Sequence, residues 1–219
     1  MSSIIVLTGA YGVGKSEVAV QLALLKKPCT IADLDVLNPF FRPRELKEYL
    51  KPLGIDVVSS QLDRGLNQDT PSLNLGFMRG LQGNQELIID CAGSENGLKP
   101  LALILEHLTQ AQVYLVVNLN RPESSLDQLK GLIEMFERVS QLKITGFIHN
   151  THLLDETTAD MILRAQVELE AFSQSVDIPI VYTVMATTFF SECHSKIHNP
   201  ILKISKWMLR QDWMKGSTL

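Results

Sequence analysis

The sequence predicts an α/β fold in which helices cover both faces of a mostly parallel sheet of about seven strands. Two observations lead to this prediction. Short β-rich apolar runs alternate with helical patterns along the chain, and the runs are apolar nearly throughout, as expected for strands that are buried on both faces. In addition, the first apolar run leads directly into a glycine-rich loop and then into a helical stretch, which is the order strand, turn and helix.

The predicted elements follow one another closely. The strand candidates are residues 4–8, 29–35, 55–59, 86–90, 112–118, 144–150 and 178–184. Apolar residues recur at helical spacing in two later segments, at Leu126, Leu129, Ile133 and Phe136 and then at Ala165, Leu169 and Phe172. Pro43 and Pro71 suit the first turns of helices that begin near them. The polar residues 59–72 are predicted to form a long loop, and loops of that length often serve function.

Composition limits the class of protein. A chain of 219 residues with 45% hydrophobic residues can bury one substantial core, so residues 1–219 are predicted to form a single domain. No apolar stretch approaches the roughly 18 residues that span a membrane, and the N-terminus has no basic region of a secretion signal, so the cytoplasm is the expected location. A net charge of −4 gives no drive toward nucleic acid. Three cysteines without a CxxC pair predict buried thiols.

The glycine-rich loop carries the strongest motif. Residues 9–16, GAYGVGKS, match G-x-x-x-x-G-K-[ST] between a strand and a helix, as the motif requires. Main-chain N–H groups of such a loop face a phosphate at the helix N-terminus. Lys15 is expected to reach the β and γ phosphates and Ser16 to bind Mg²⁺. The predicted nucleotide contacts are Gly9, Ala10, Tyr11, Gly12, Val13, Gly14, Lys15, Ser16 and Glu17.

Carboxylates at the ends of two predicted strands supply candidates for metal binding and catalysis. Asp90 closes the run ELIID, where it can hold Mg²⁺ through water, and the spacing D-x-x-G brings the Gly93 amide toward a γ-phosphate. Asp33 and Asp35 end the second strand on the same edge of the sheet, where open α/β folds bind ligands. Residues two apart on a strand share a side, so both carboxylates can converge on the metal.

The combination resembles the MinD/ParA and CobQ/CobB group of P-loop ATPases, within the SIMIBI class, over most of the chain. Residues 9–16 resemble the phosphate loop, DLDVLNPFFR (33–42) the first switch and IIDCAGSENG (88–97) the second. VVNLNRPES (116–124) and FIHNTHLL (147–154) are similar to segments that approach the nucleotide base, and the set is closest to a subset of bacterial ATP-binding proteins.

The resemblance implies a three-layer P-loop NTPase fold with ATP and Mg²⁺ as cofactors. It implies that Asp35 positions the attacking water, that Asp33 and Asp90 support the magnesium and that Asn150 contacts adenine. Lys15, Asp35 and Asp90 are therefore the expected catalytic residues, and Ser16, Asp33, Asp35 and Asp90 the expected metal site. The resemblance also implies that the chain binds ATP and ADP. The partner that responds to the bound nucleotide would be a second copy of the chain, in a homodimer, or an unknown protein client.

One position departs from the MinD/ParA pattern. That group has a lysine directly after the first glycine of the loop, which reaches the phosphates of the partner subunit, whereas this chain has Ala10. Because a cation supplied in trans contributes about 10³ to 10⁵ in rate, slow hydrolysis is expected. Arg42, Arg44 and Arg121 are candidates for the missing charge, and a solvated or ion-paired arginine is the alternative for each.

The choice of base and the kind of reaction leave alternatives open. Adenine is favoured because Asn150 and Asp155 lack the N-K-x-D spacing of guanine-specific proteins. A P-loop small-molecule kinase or ATP-dependent transferase is the alternative enzyme, since such kinases also place D-x-D after the second strand, although no R-x-x-x-R lid is visible. A third hypothesis is a nucleotide-binding module that hydrolyses nothing.

Two C-terminal features have more than one interpretation. His194 and His198 have a helical spacing that can hold zinc, but the further ligands are absent and an exposed helix face is favoured. Residues 200–214 are predicted to form an amphipathic helix with Ile201 and Ile204 on its apolar side. Such a helix can lie on a membrane surface or pack on the sheet. The second interpretation is favoured because Asp212 falls on the apolar side.

Overall fold

The computed structural model describes residues 3–34, 42–59, 81–82 and 85–209. They contain a single parallel sheet of eight strands, in the order β3-β2-β4-β1-β5-β6-β7-β8. The strands are β1 (Ile4–Thr8), β2 (Cys29–Asp33), β3 (Ile55–Ser59), β4 (Glu86–Asp90), β5 (Gln112–Val117), β6 (Gly146–His149), β7 (Ile180–Ala186) and β8 (Ile201–Ile204). The predicted fold class is confirmed, with one strand more than expected.

Helices connect the strands and cover the sheet. The α-helices are α1 (Lys15–Lys26), α2 (Lys47–Leu50), α3 (Glu95–Ala102), α4 (Leu126–Ser140), α5 (Ala159–Val176) and α6 (Phe190–Cys193). Short 3-10 turns are formed by Pro43–Leu46, Lys51–Leu53, Leu105–His107, Pro122–Ser124, Leu154–Glu156, Thr187–Phe189 and His194–Lys196. Pro43 thus begins a helical turn, as predicted.

The hydrophobic core lies on both faces of the sheet because successive side chains of each strand point to opposite sides. On β1, Leu7 packs in the layer that contains α1, whereas Val6 packs in the opposite layer with α3, α4 and α5. The 3.6-residue pattern of α4 buries Leu129 and Phe136 in that second layer. The result is the predicted three-layer arrangement.

The position of β1 determines where a ligand can bind. Its partners are β4 on one side and β5 on the other, so the strand order reverses around it. In open α/β sheets, the crevice at the carboxyl ends of the strands next to such a reversal is where ligands bind. The glycine-rich loop after β1 opens at this edge.

The predicted helix over residues 200–214 is wrong at its beginning. Ile201–Ile204 forms the strand β8, which pairs in parallel with β7. Leu202 and Ile204 are buried while Lys203 between them is exposed, which is the alternation of a strand with one solvated face. A membrane-surface helix cannot therefore include these four residues. Residues 210–214 lie outside the described part of the chain.

Several other predictions can be located. Asp35, Pro71 and the loop beyond residue 59 fall outside the described residues. The three cysteines are buried, as expected. His194 ends up stacked on Phe190 with ring centroids 4.9 Å apart, and His198 follows the 3-10 turn instead of continuing a helix. Within the described ranges, no helix combines the length and hydropathy needed to cross a bilayer.

Candidate functional site: the loop between the first strand and the first helix

The glycine-rich loop wraps around the N-terminus of α1. The first main-chain hydrogen bond of the helix runs from the Val18 N–H to the Gly14 carbonyl, at 3.0 Å. The N–H groups of Ser16 and Glu17 precede this bond and have no acceptor within the helix, as in any helix N-terminus. They add to the positive end of the helix dipole, which favours an anion at this position.

Lys15 lies folded over the loop. Its side chain is 7% exposed, and Nζ donates a hydrogen bond of 2.9 Å to the Ala10 carbonyl. A buried ammonium close to the N-terminus of a helix makes the loop strongly electropositive. Tyr11 differs, since its ring is 73% exposed, so it is the main chain of this residue that contributes to the loop.

Asn150 fixes the far end of the loop. Its Nδ2 donates to the Val13 carbonyl at 2.8 Å, and this contact sets the orientation of the amide because a carbonyl oxygen only accepts. Gly14 has a φ of +91°, and a Cβ added to it would lie 2.5 Å from Asn150 Nδ2. Both the conformation and the close approach require glycine at this position. The structure thus brings together residues separated by 137 positions.

The two described carboxylates predicted to bind metal also meet. Asp33 on β2 and Asp90 on β4 are directly opposite each other in the sheet register, and each is 1% exposed. Arg44 Nε lies 2.9 Å from Asp33 Oδ2. Arg44 is thus ion-paired, which is the alternative that the sequence left open for it. Both carboxylates are therefore buried at this sheet edge, and one of them is paired with an arginine.

Gly93 packs against the loop. A Cβ at Gly93 would lie 2.1 Å from the Gly9 carbonyl oxygen, which is much closer than any real contact. Gly9 in turn lies against β5, because a Cβ there would be 2.5 Å from the Val116 carbonyl oxygen. The loop is therefore enclosed between the segment after β4 and the end of β5.

The Glu17 side chain has a role that the sequence did not reveal. Its carboxylate accepts hydrogen bonds from the N–H groups of Met208 (2.9 Å) and Leu209 (2.8 Å) and from Gln21 Nε2 (2.7 Å). Gln21 Nε2 also donates to the Lys206 carbonyl at 2.9 Å. The predicted nucleotide contact of Glu17 is consequently restricted to its main-chain N–H. We call residues 206–209 the C-terminal strap.

A second unpredicted feature is a buried polar network next to Asn150. His149 is fully buried and its Nδ1 lies 2.7 Å from Gln166 Oε1. Gln166 Oε1 also accepts from Thr183 Oγ1 at 2.7 Å, and Thr183 accepts from Asn199 at 2.9 Å. Burial lowers the pKa of His149 to about 4, against the weaker opposing effect of the Gln166 hydrogen bond. The imidazole is therefore neutral at pH 7.

Comparisons of the whole chain with sequence families and curated proteins find no match. Its fold, however, matches solved structures. The cell division protein FtsY from Thermotoga maritima is 20% identical with a TM-score of 0.54, over 84% of this chain and 62% of FtsY. The signal recognition particle 54 kDa protein from Aeropyrum pernix K1, solved in complex with GDP, is 20% identical with a TM-score of 0.53, over 83% of this chain and 41% of that one.

The cell division protein MinD from Aquifex aeolicus is also similar, at 18% identity and a TM-score of 0.51, over 87% of this chain and 85% of MinD. The chain spans about three fifths of the length of the FtsY structures that it matches. What the chain shares with these structures is the architecture of the fold. The chain has the fold of the SIMIBI-class P-loop NTPases, which confirms the resemblance found in the sequence.

Proposed function

We propose that the chain is a Mg²⁺-dependent ATP-binding protein, a slow ATPase that acts as a nucleotide-dependent switch on a dimer or a protein client. The observation that carries this proposal is the electropositive loop of residues 9–16 facing two buried carboxylates, Asp33 and Asp90, at the carboxyl edge of the sheet. A positive cradle beside negative metal ligands is the arrangement that a nucleoside triphosphate with its magnesium requires.

In this proposal the loop binds the phosphates. The main-chain N–H groups of the loop and of the first turn of α1 surround the phosphate oxygens, and Lys15 neutralises their charge. Lys15 already lies inside the loop through its bond to Ala10, so its side chain loses little freedom on binding. Exchange of that carbonyl for a phosphate oxygen would give the ammonium a stronger, charge-assisted partner.

The donor set suits magnesium. Ser16 offers a hydroxyl and Asp90 a carboxylate, and hard divalent cations prefer oxygen ligands. Asp33 would act in the same site after release from Arg44, or through water while the ion pair of 2.9 Å persists. The metal would neutralise charge on the phosphates, and the chain's own contribution is to hold these oxygens at adjacent strand ends.

Hydrolysis is assigned to the segments that follow β2 and β4. Asp35, two residues after the end of β2, is the proposed group that orients the attacking water, and Asp90 supports the metal. The Gly93 N–H, beside the loop, would approach the γ-phosphate. Because Ala10 replaces a lysine that acts between subunits in MinD/ParA proteins, turnover by the chain alone is expected to be slow.

Adenine recognition is assigned to Asn150. Its Nδ2 is committed to the Val13 carbonyl, which leaves the carbonyl Oδ1 as an acceptor. Adenine presents an exocyclic amine donor and guanine an oxygen at the corresponding ring position, so an acceptor favours adenine. The relatives solved with GDP bind a guanine nucleotide, and a direct comparison of ATP with GTP is therefore part of the test.

Isothermal titration of the full chain with Mg²⁺-ATP and Mg²⁺-GTP tests the proposal. We expect ATP binding, and a Lys15→Ala variant should bind at least about tenfold more weakly because one charge-assisted contact is lost. Lys130, an exposed lysine of α4, supplies the matched control, and Lys130→Ala should bind like the wild type. Absence of binding heat with either nucleotide would refute the proposal.

Phosphate release separates hydrolysis from the other two hypotheses. Free phosphate formed from Mg²⁺-ATP without any acceptor supports the ATPase, and an Asp35→Ala variant should retain ATP binding while losing that release. ADP formed only when a small-molecule acceptor is added would instead identify a kinase. Binding without turnover under either condition would identify a non-hydrolysing module. Sedimentation with ATP and with ADP then shows whether the bound nucleotide changes the oligomeric state.

A further inference from the structure

A cation lies beside the phosphate loop on the side of β5. The segment that follows β5 carries Arg121, and a Cβ added at Gly12 would lie 4.0 Å from Arg121 Nε. The guanidinium group thus starts next to the middle of the loop. Gly12 has no side chain of its own, so the arginine lies directly against the main chain of the loop at this residue.

The main chain holds Arg121 at this position. The Arg121 N–H donates to the Asn118 carbonyl at 2.9 Å, and the Arg121 carbonyl accepts from the Ser124 N–H at 2.9 Å. Asn118 is itself fully buried, and its Nδ2 donates to the His152 carbonyl at 3.1 Å. A second bond of 3.0 Å, from the Leu119 N–H to Thr151 Oγ1, ties the segment to the residues after β6. The arginine therefore projects from a fixed support.

The Nε atom of Arg121 has no acceptor among the described residues. This Nε is buried, and within the described ranges the residue forms no ion pair. A buried guanidinium N–H without an acceptor is unfavourable, so a ligand oxygen at this place would be stabilising. Arg44, by contrast, is paired with Asp33 at 2.9 Å. Arg42 Nε is likewise buried without a hydrogen-bond partner among the described residues, but Arg42 lies at the start of a 3-10 turn and has no atom within 4 Å of a Cβ at Gly12.

We infer that Arg121 binds a phosphate oxygen of the nucleotide and supplies, within the same chain, the positive charge that Ala10 does not provide. This inference rests on the proposed function, because it needs a phosphate in the loop. Arginine suits the role since its planar group donates two parallel hydrogen bonds and stays charged at all physiological pH values. The same charge would stabilise the transition state of phosphoryl transfer.

Three variants and one control test the inference in the full chain. Arg121→Ala removes the charge and Arg121→Gln keeps a polar but shorter side chain without it, while Arg121→Lys keeps the charge and loses the planar fork. Arg164→Ala removes an exposed arginine of α5 that pairs with Asp160, and serves as the control. Thermal unfolding without nucleotide measures folding, and titration with Mg²⁺-ATP and turnover measure the site.

We expect Arg121→Ala and Arg121→Gln to weaken ATP binding about tenfold or more, or to lower turnover by a similar factor, with unchanged unfolding in the absence of nucleotide. Arg121→Lys should recover part of the loss, and Arg164→Ala should match the wild type. Wild-type binding and turnover in Arg121→Ala and Arg121→Gln would overturn the inference and leave the proposed function intact. A wild-type chain that binds no nucleotide would overturn both.

Discussion

The C-terminal strap gives the sharpest prediction about how the site is held. Glu17 is 7% exposed and its carboxylate accepts from two main-chain N–H groups of the strap, at Met208 and Leu209. In a Glu17→Ala variant these two N–H groups lose the Glu17 carboxylate as acceptor, whereas the Gln21 amide keeps the Lys206 carbonyl. Each buried donor that loses its acceptor costs about 1–3 kcal/mol, so two such donors would lower the free energy of unfolding by about 2–6 kcal/mol.

The strap can limit this loss by detaching. Detachment exposes the side chains of Met208 and Leu209, which are now 6% and 9% exposed. Exposure of two such side chains costs about 3–6 kcal/mol, which is similar to the cost of leaving the donors buried. We therefore expect Glu17→Ala to lower the free energy of unfolding by about 2–6 kcal/mol, with local opening of the strap at lower denaturant than the sheet.

Urea unfolding and amide hydrogen exchange measure the two effects separately. Exchange at the amides of Met208 and Leu209 should accelerate in Glu17→Ala, whereas amides of β1 should change only with global stability. Glu168→Ala on the exposed face of α5 is the matched control and should stay within about 0.5 kcal/mol of the wild type. If Glu17→Ala is as stable as that control and the strap amides exchange at the wild-type rate, the argument from buried donors is wrong.

Three further predictions concern folding and the loop. The pKa of His149 is about 4 in the folded chain and 6.5 when exposed, so its contribution to stability is complete above pH 6.5 and declines as the pH falls toward 4. Unfolding at pH 5 should be easier than at pH 7 by about 2 kcal/mol from this group, a difference that His149→Gln should remove from the urea profile. Gly93→Ala should abolish ATP binding, because its Cβ would lie 2.1 Å from the Gly9 carbonyl oxygen; titration at the wild-type affinity would contradict this. Gly131→Ala has no atom within 4 Å of the new Cβ and should raise the thermal stability by about 0.5–1 kcal/mol, since alanine favours the helix.

Local patterns were sufficient to predict the loop and the sheet edge. The spacing of residues 9–16 gave the turn before α1, and the apolar runs that end in Asp33 and Asp90 placed both carboxylates at one edge, where the register of β2 and β4 aligns them. The prediction of the loop depends on contacts within a few residues, and the prediction of the sheet edge depends on the parallel order of the strands. Both features follow from patterns that can be recognised in the sequence. Asp35 remains a prediction, since it lies outside the described residues.

Other features depend on contacts that no local pattern encodes. The bond between Glu17 and Leu209 joins residues 192 positions apart, and neither has a recognisable motif for it. The four residues of β8 also fit the apolar side of a helix, because Ile201 and Ile204 have the i, i+3 spacing of a helix while Leu202 and Ile204 have the i, i+2 spacing of a strand. Pairing with β7 decided between them. Tertiary packing thus determined that residues 201–204 form a strand, whereas their propensity alone was compatible with a strand or a helix.

The central place of β1 has a consequence for synthesis on the ribosome. Ile4 lies beside Leu87 on β4, and Ile5 lies beside Gln112 on β5. More than a hundred further residues must therefore be synthesised before β1 can pair with both neighbouring strands. The amide of Asn150 that braces the loop emerges later still. A stalled or prematurely ended product would therefore expose an apolar, unpaired strand to chaperones and proteases.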